Sequence, residues 1–309
     1  MISRTRTVAA LAAALALSIV PASALLSPAS GAATVVARAS TTAAPRTFVG
    51  IRANRLAVFR STTGAFLRYL TGRPPLIGFP SVRPNRAHVL FVQTTTTDGC
   101  PATYSIPLAG GTPTPIRGGQ YGGSFPIAAG PHGALAGLTD CIATEYLHAT
   151  AANGRSYNIN GVRQLGVSGL SWGPDGYWLA AGTFYGGVRY LDVRKTAGLT
   201  VAKTVPCPAA VRSCSTTAPA YSPSGTLYYI VANKGGTRAY VVRLAHGAAR
   251  IVFRLPRASA HYSLAVAAGG NILVSGDANT GTETHSDFVV RWDGAHTHAL
   301  KTSAVQVDW

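Results

Sequence analysis

A short turn motif recurs along this 309-residue chain at nearly constant spacing, and it constrains the fold more than any other feature. The clearest copy runs Leu170-Ser171-Trp172-Gly173-Pro174-Asp175-Gly176-Tyr177-Trp178-Leu179-Ala180. An apolar segment enters a Pro-Asp-Gly turn and a second apolar segment leaves it. Proline presets the first dihedral of such a turn and glycine supplies the left-handed one. Further strand-like segments follow at Val188–Val193 and Thr200–Val205. The same four-part pattern returns around Pro84, Pro131, Pro223 and Gly269, which gives spacings of 47, 43, 49 and 46 residues. Four strands in roughly 45 residues is the signature of a β-propeller blade.

Five full units are legible in this way, and a sixth is split between the ends. Phe48–Ile51, Leu56–Arg60 and Phe66–Leu70 supply three strands with no turn motif before them. Ala304–Trp309 reads as a lone first strand, with Trp309 matching Trp172 in place. The sequence thus predicts an all-β chain, a single six-bladed β-propeller over residues 46–309. Its ring is closed by residues 304–309 pairing in the first blade, which removes exposed sheet edges. Helical architectures are excluded by 34 Gly, 19 Pro and a charged fraction of only 12%. Disorder is excluded by a 47% hydrophobic content.

Trp172-Gly173-Pro174-Asp175-Gly176 and Tyr221-Ser222-Pro223-Ser224-Gly225 resemble the W-S-P-D-G repeat of TolB-like β-propellers. Pro131-His132-Gly133 and Pro84-Asn85-Arg86 match it in part, and Gly269-Gly270-Asn271 lacks the proline. The resemblance implies a non-catalytic interaction platform of the cell envelope. A repeat of this kind specifies a blade and not an activity.

The N-terminus has the three parts of a secretory signal peptide. Arg4 and Arg6 precede an apolar run from Val8 to Val20, and small residues follow, with Ala22-Ser23-Ala24 and Gly31-Ala32-Ala33 as cleavage sites. A run of 13 residues is short of the roughly 20 that span a bilayer. Residues 1–33 are therefore read as the signal peptide and residues 34–45 as a flexible linker. The mature chain is expected to be secreted or extracytoplasmic, without a transmembrane segment, and monomeric. Cysteine usage suits that address. Four cysteines allow three pairings. Cys207 and Cys214 stand seven apart and suit a short closed loop, which leaves Cys100 with Cys141. Clustered zinc-ligand spacing is absent.

The net charge is +17, and loss of residues 1–33 removes two Arg and no acid, leaving +15. Such a charge favours anionic partners. The basic residues form no runs, the densest groups being Arg52/Arg55/Arg60 and Arg250/Arg254/Arg257. No nucleic-acid motif is present, so no specific nucleic-acid binding is expected.

In propellers the first strand of each blade lines the central channel. The loops from second to third strand share one face with the blade-to-blade connectors. By that rule Asp98, Asp140, Glu145, Asp277, Glu283 and Asp287 fall on one face, with His285 among them and His261 in a connector. Arg60, Arg83, Arg86, Arg155, Arg194 and Lys195 fall on the other, against Asp175 and Asp192. Converging carboxylates could hold Ca²⁺ or a small ligand. Solvated loop acids are the simpler reading, and no cofactor is then required. Asp98 and Asp140 sit beside Cys100 and Cys141, where a disulfide could hold two carboxylates close. His296 and His298 share one strand face without a visible third ligand. Tyr121, in the Gly118–Gly123 connector, and Phe184, Tyr185 and Tyr262 are candidate exposed loop aromatics. The four tryptophans are expected to pack between blades.

The expected function is that of a non-catalytic propeller that binds a protein or an anionic envelope polymer. The alternative is a metal-assisted propeller hydrolase or lyase with its site at the acidic channel mouth. No G-x-S-x-G nucleophile elbow is present.

Overall fold

The computed structural model describes residues 45–72, 77–94, 101–116, 126–139, 146–159, 167–183, 187–195, 203–211, 213–277 and 288–309. All belong to one compact unit, Ala39–Trp309. They form six four-stranded antiparallel sheets and no α-helix.

The first blade contains β1 (Thr47–Arg52), β2 (Arg55–Arg60) and β3 (Phe66–Tyr69). The second contains β4 (Ile77–Val82), β5 (His88–Thr94), β6 (Pro101–Pro107) and β7 (Thr114–Pro115). The third is β8 (Ala128–Ala129), β9 (Leu135–Thr139), β10 (Tyr146–Thr150) and β11 (Ser156–Ile159). The fourth is β12 (Val167–Trp172), β13 (Trp178–Thr183), β14 (Gly187–Asp192) and β15 (Lys203–Thr204). The fifth is β16 (Cys214–Tyr221), β17 (Leu227–Asn233), β18 (Ala239–Ala245) and β19 (Ala248–Arg254). The sixth is β20 (His261–Val266), β21 (Ile272–Asp277), β22 (Phe288–Trp292) and β23 (Thr297–Ala299). The last strand, β24 (Val305–Asp308), returns to the first blade and lies antiparallel to β1, with Val49 opposite Asp308 and Ile51 opposite Val305. The ring is closed as the split repeat predicts.

The turns follow from their residues. Gly176 N–H donates to the Gly173 carbonyl, and Gly225 N–H to the Ser222 carbonyl. Gly176 and Gly225 have φ of +69° and +86°, where a Cβ is costly. Asp175 locks its turn by accepting from the Tyr177 and Trp178 amides. Arg86 occupies the glycine position of its own turn at φ +55°.

Each pair of neighbouring blades shares an apolar cluster, and one of these joins the sixth blade to the first through Phe48, Phe59, Leu273, Val307 and Trp309. Trp172 and Trp309 are the wedges of this packing, each 6% exposed. The space for Trp172 is made by glycine: a Cβ at Gly130 would lie 2.7 Å from Trp172 Cγ. Trp309 faces Ala267 in the corresponding place and donates its indole N–H to the Ala265 carbonyl. Trp292 stacks on Phe253 of the fifth blade. Trp178 instead neighbours Tyr190 within its own blade.

Candidate functional site

The inner strands β4, β8, β12, β16, β20 and β24 ring a central channel of about 1110 Å³. They run in the same direction, so every first-to-second-strand turn gathers at one mouth, the turn mouth. Small and hydroxylic side chains line the wall between the mouths, among them Ser81, Ser168, Ser171, Thr217 and Ser263. Among the described residues, charge is confined to the ends. Arg83, Arg86 and Asp308 stand at the turn mouth, and His261 and Asp277 at the far mouth.

The wall is bulged where it borders the channel. Phe79, Ala218 and Gln306 all have left-handed backbone, at φ +54°, +45° and +49°. Their strands slip register against the second strand at these residues. All three stand three places before the residue that matches Trp172 in its repeat: Val82, Tyr221 and Trp309. A β-branched or bulky residue in this region costs of order 1–3 kcal/mol, and such strain persists only where packing over-determines it. Here the bulge breaks the inner-strand ladder and frees backbone groups for bonds across blades. Phe79 N–H donates to Gln306 Oε1 at 2.7 Å.

A second repeat position stitches the blades together. Ser81, Ser171 and Asp308 each directly precede the residue at the Trp172 position of their repeat, Val82, Trp172 and Trp309. Each accepts from a main-chain amide of the next blade: Ala129, Tyr221 and Val82, at 3.0, 2.9 and 2.7 Å. The donors again share one repeat position. Asp308 is the charged member of this set. Burial pushes its carboxyl up to about 6, against the Val82 and Trp309 amides and the charge of Arg86, which lower it. Arg86 is held by donating to the Thr47 carbonyl, and burial lowers its pKa while Asp308 raises it.

A carboxyl raised above its unfolded value near 3.9 makes the fold most stable below that pH. The contribution is lost as pH rises through about 6, and amounts to about 2–3 kcal/mol. Asp308→Asn is therefore expected to remove this fall between pH 4 and pH 7. Urea unfolding of both proteins across that range, compared as a difference, checks it. His261 tends the other way, because burial lowers its pKa.

Most of the predicted acidic face, Asp98, Asp140, Glu145, Glu283, Asp287 and His285, lies outside the described residues, as do Cys100, Cys141, Tyr121, Phe184 and Tyr185. Asp277 is described, and it is not a loop residue. It ends β21, is 7% exposed, and stands directly opposite His261. His261 likewise begins β20 rather than lying in a connector. Tyr262, expected in an exposed loop, is the second residue of β20 and packs on the core between the fifth and sixth blades. Its hydroxyl accepts from the Ser259 amide at 2.6 Å. These strands extend one or two polar residues further than hydropathy alone suggests.

Cys207 and Cys214 form a disulfide. His298 Nε2 pairs with Asp293 Oδ2 at 2.6 Å. Amide donation from His296, the His298 ring and the Ala295 amide hold the Asp293 carboxyl well below the usual range. That loop is an Asp-centred turn. Among the described residues no group of three His, Cys, Asp or Glu could hold a metal ion. Also among them, no helix is long and apolar enough to cross a membrane.

The sequence matches no protein-family model and no curated protein. Solved structures are similar in fold. TolB from Acinetobacter baumannii superposes with a TM-score of 0.61 at 14% identity, over 85% of this chain and 65% of that one. The chain thus spans just under two thirds of that TolB. A putative TolB from Agrobacterium tumefaciens gives 0.52 at 15% identity, over 83% and 89% of the two chains. A gluconolactonase from Xanthomonas campestris gives 0.54 at 14% identity, over 75% and 80%. In fold, this chain is a TolB-like six-bladed β-propeller.

Proposed function

We propose that this protein is an exported binding module that takes an anionic group of a protein or envelope polymer at the turn mouth of its channel. The observation that carries the reading is the channel itself. Its wall offers hydroxyls and main-chain groups, and its turn mouth presents Arg83 and Arg86. A cavity of about 1110 Å³ accommodates a chain segment or a sugar unit. The excess of 27 Lys and Arg over 10 Asp and Glu attracts the same class of partner. Export is supported by the N-terminal segment and by the Cys207–Cys214 disulfide. The protein acts as a monomer in this reading.

Arg83 is the residue to test, because Arg86 also holds the Thr47 carbonyl. Arg83→Glu is expected to weaken binding of a soluble acidic wall polymer about tenfold or more, with a matching loss of salt dependence, and to leave the unfolding midpoint unchanged. Equal affinity of the variant would remove the turn mouth from the account.

A metal-assisted hydrolase is the second reading, favoured by the His261–Asp277 pair at the far mouth. Thermal unfolding in excess Ca²⁺ against chelator separates the two. A cation at about 100 times its dissociation constant adds roughly 2.7 kcal/mol. The binding-module reading expects no shift. An upward shift lost in Asp277→Asn, together with cation-dependent cleavage of a polymer substrate, would favour the hydrolase or lyase reading instead.

A further inference from the structure

The outer edge of the fifth blade differs from the other five. Its last strand, β19, has seven residues, whereas β3 and β23 have four and three, and the described parts of β7, β11 and β15 have two, four and two. It ends its sheet and pairs with β18 alone. Among the described residues, no strand pairs with its outer side. Such an edge is a template for a further strand.

This edge is also strongly basic. The stretch from Val193 to Gly276 carries ten Lys and Arg and not one Asp or Glu. Arg243, Arg250 and Arg254 are exposed, and among the described residues none of them forms an ion pair. Arg243 stands directly opposite Arg250 across β18 and β19. Like charges so placed destabilise a sheet. Ile251, between them, is 40% exposed. Arg250 and Ile251 are neighbours on one strand, so they project to opposite faces of the sheet.

We infer that β19 is a docking edge for an extended acidic segment of a partner protein, which adds to the fifth blade as a fifth strand. Main-chain bonds to the edge supply affinity, and acidic side chains at alternate positions meet Arg243 and Arg250, which share a face; Arg254, beyond the register slip at Val241/Val242, stands on the other. A second copy of this chain is disfavoured as the occupant, because it would bring the same arginines edge to edge. The rim is remote in sequence from Arg83, and this site does not depend on what the channel binds.

The test uses the purified protein and a twelve-residue peptide alternating glutamate with valine, with a lysine–valine peptide as control. The acidic peptide is expected to bind and to slow amide hydrogen exchange in residues 248–254. The lysine peptide is expected to do neither. Arg243→Glu with Arg250→Glu should weaken binding at least about tenfold and remove the protection of residues 248–254. Circular dichroism confirms that these exposed substitutions leave the fold in place. No binding at millimolar peptide overturns the proposal, and so does undiminished binding by the double variant. Equal binding of a soluble polygalacturonate without protection of residues 248–254 also overturns it, and leaves a charged patch in place of a strand site.

Discussion

Deleting Val305–Trp309 is expected to leave no cooperatively folded protein at 25 °C. Val305, Val307 and Trp309 are 3%, 3% and 6% exposed. Burying them contributes roughly 5–9 kcal/mol at about 1.5–3 kcal/mol each. The deletion also orphans the amides of Phe79 and Val82, which donate to Gln306 and Asp308, and it opens the cluster around Phe48 and Phe59. Total stability of a domain is only about 5–15 kcal/mol. Loss of near-ultraviolet dichroism and of a sigmoidal urea transition would show the effect. A truncated protein that still melts cooperatively within a few degrees of the parent would mean that β24 is dispensable.

Trp172→Ala is expected to cost about 3–5 kcal/mol, as for large aromatic deletions from cores. Its indole fills the seam between the third and fourth blades, against Leu147, Leu179 and Leu191. The informative comparison adds Gly130→Ala. Alone, that change forces a Cβ to within 2.7 Å of Trp172 Cγ and 2.8 Å of Ala134 Cβ. Overpacking of this kind costs about 1–3 kcal/mol. With the indole gone, the nearer of the two clashes disappears and the new methyl fills part of the cavity. The double variant should therefore be more stable than the sum of the single losses predicts, by about 1 kcal/mol or more. Strict additivity in urea unfolding would show that the two residues do not touch.

The architecture was readable because its turns have strict local demands. A Pro-x-Gly turn needs a fixed dihedral and a left-handed one, and few residues meet both. Ring closure was readable because Trp309 repeats the position of Trp172. The bulges were not readable, because Phe79, Ala218 and Gln306 carry no mark of left-handed backbone. Tertiary packing imposes that conformation on ordinary residues. The stitching residues Ser81, Ser171 and Asp308 were missed for another reason. A serine and an aspartate look unlike in a sequence, and only alignment on the Trp172 position reveals their shared place. Asp308 thus gives no sign in the sequence of being a carboxyl of the channel, and Asp277, a loop residue by hydropathy, is the last residue of β21. Neither error disturbs the fold, since both concern the polar ends of strands, where hydropathy stops being informative.

The ring is what creates the channel, so closure is the claim on which the functional account rests. Ile51 and Val305 are direct cross-strand partners, one from each end of the chain. Antiparallel partners have Cα atoms about 4.5–5.5 Å apart, within disulfide range. Ile51→Cys with Val305→Cys should therefore form an intramolecular disulfide on mild oxidation. Mass spectrometry of a non-reduced digest would show the two peptides linked, in a protein of monomer mass. Two free thiols, or crosslinks only between molecules, would contradict the closed ring and the binding channel with it.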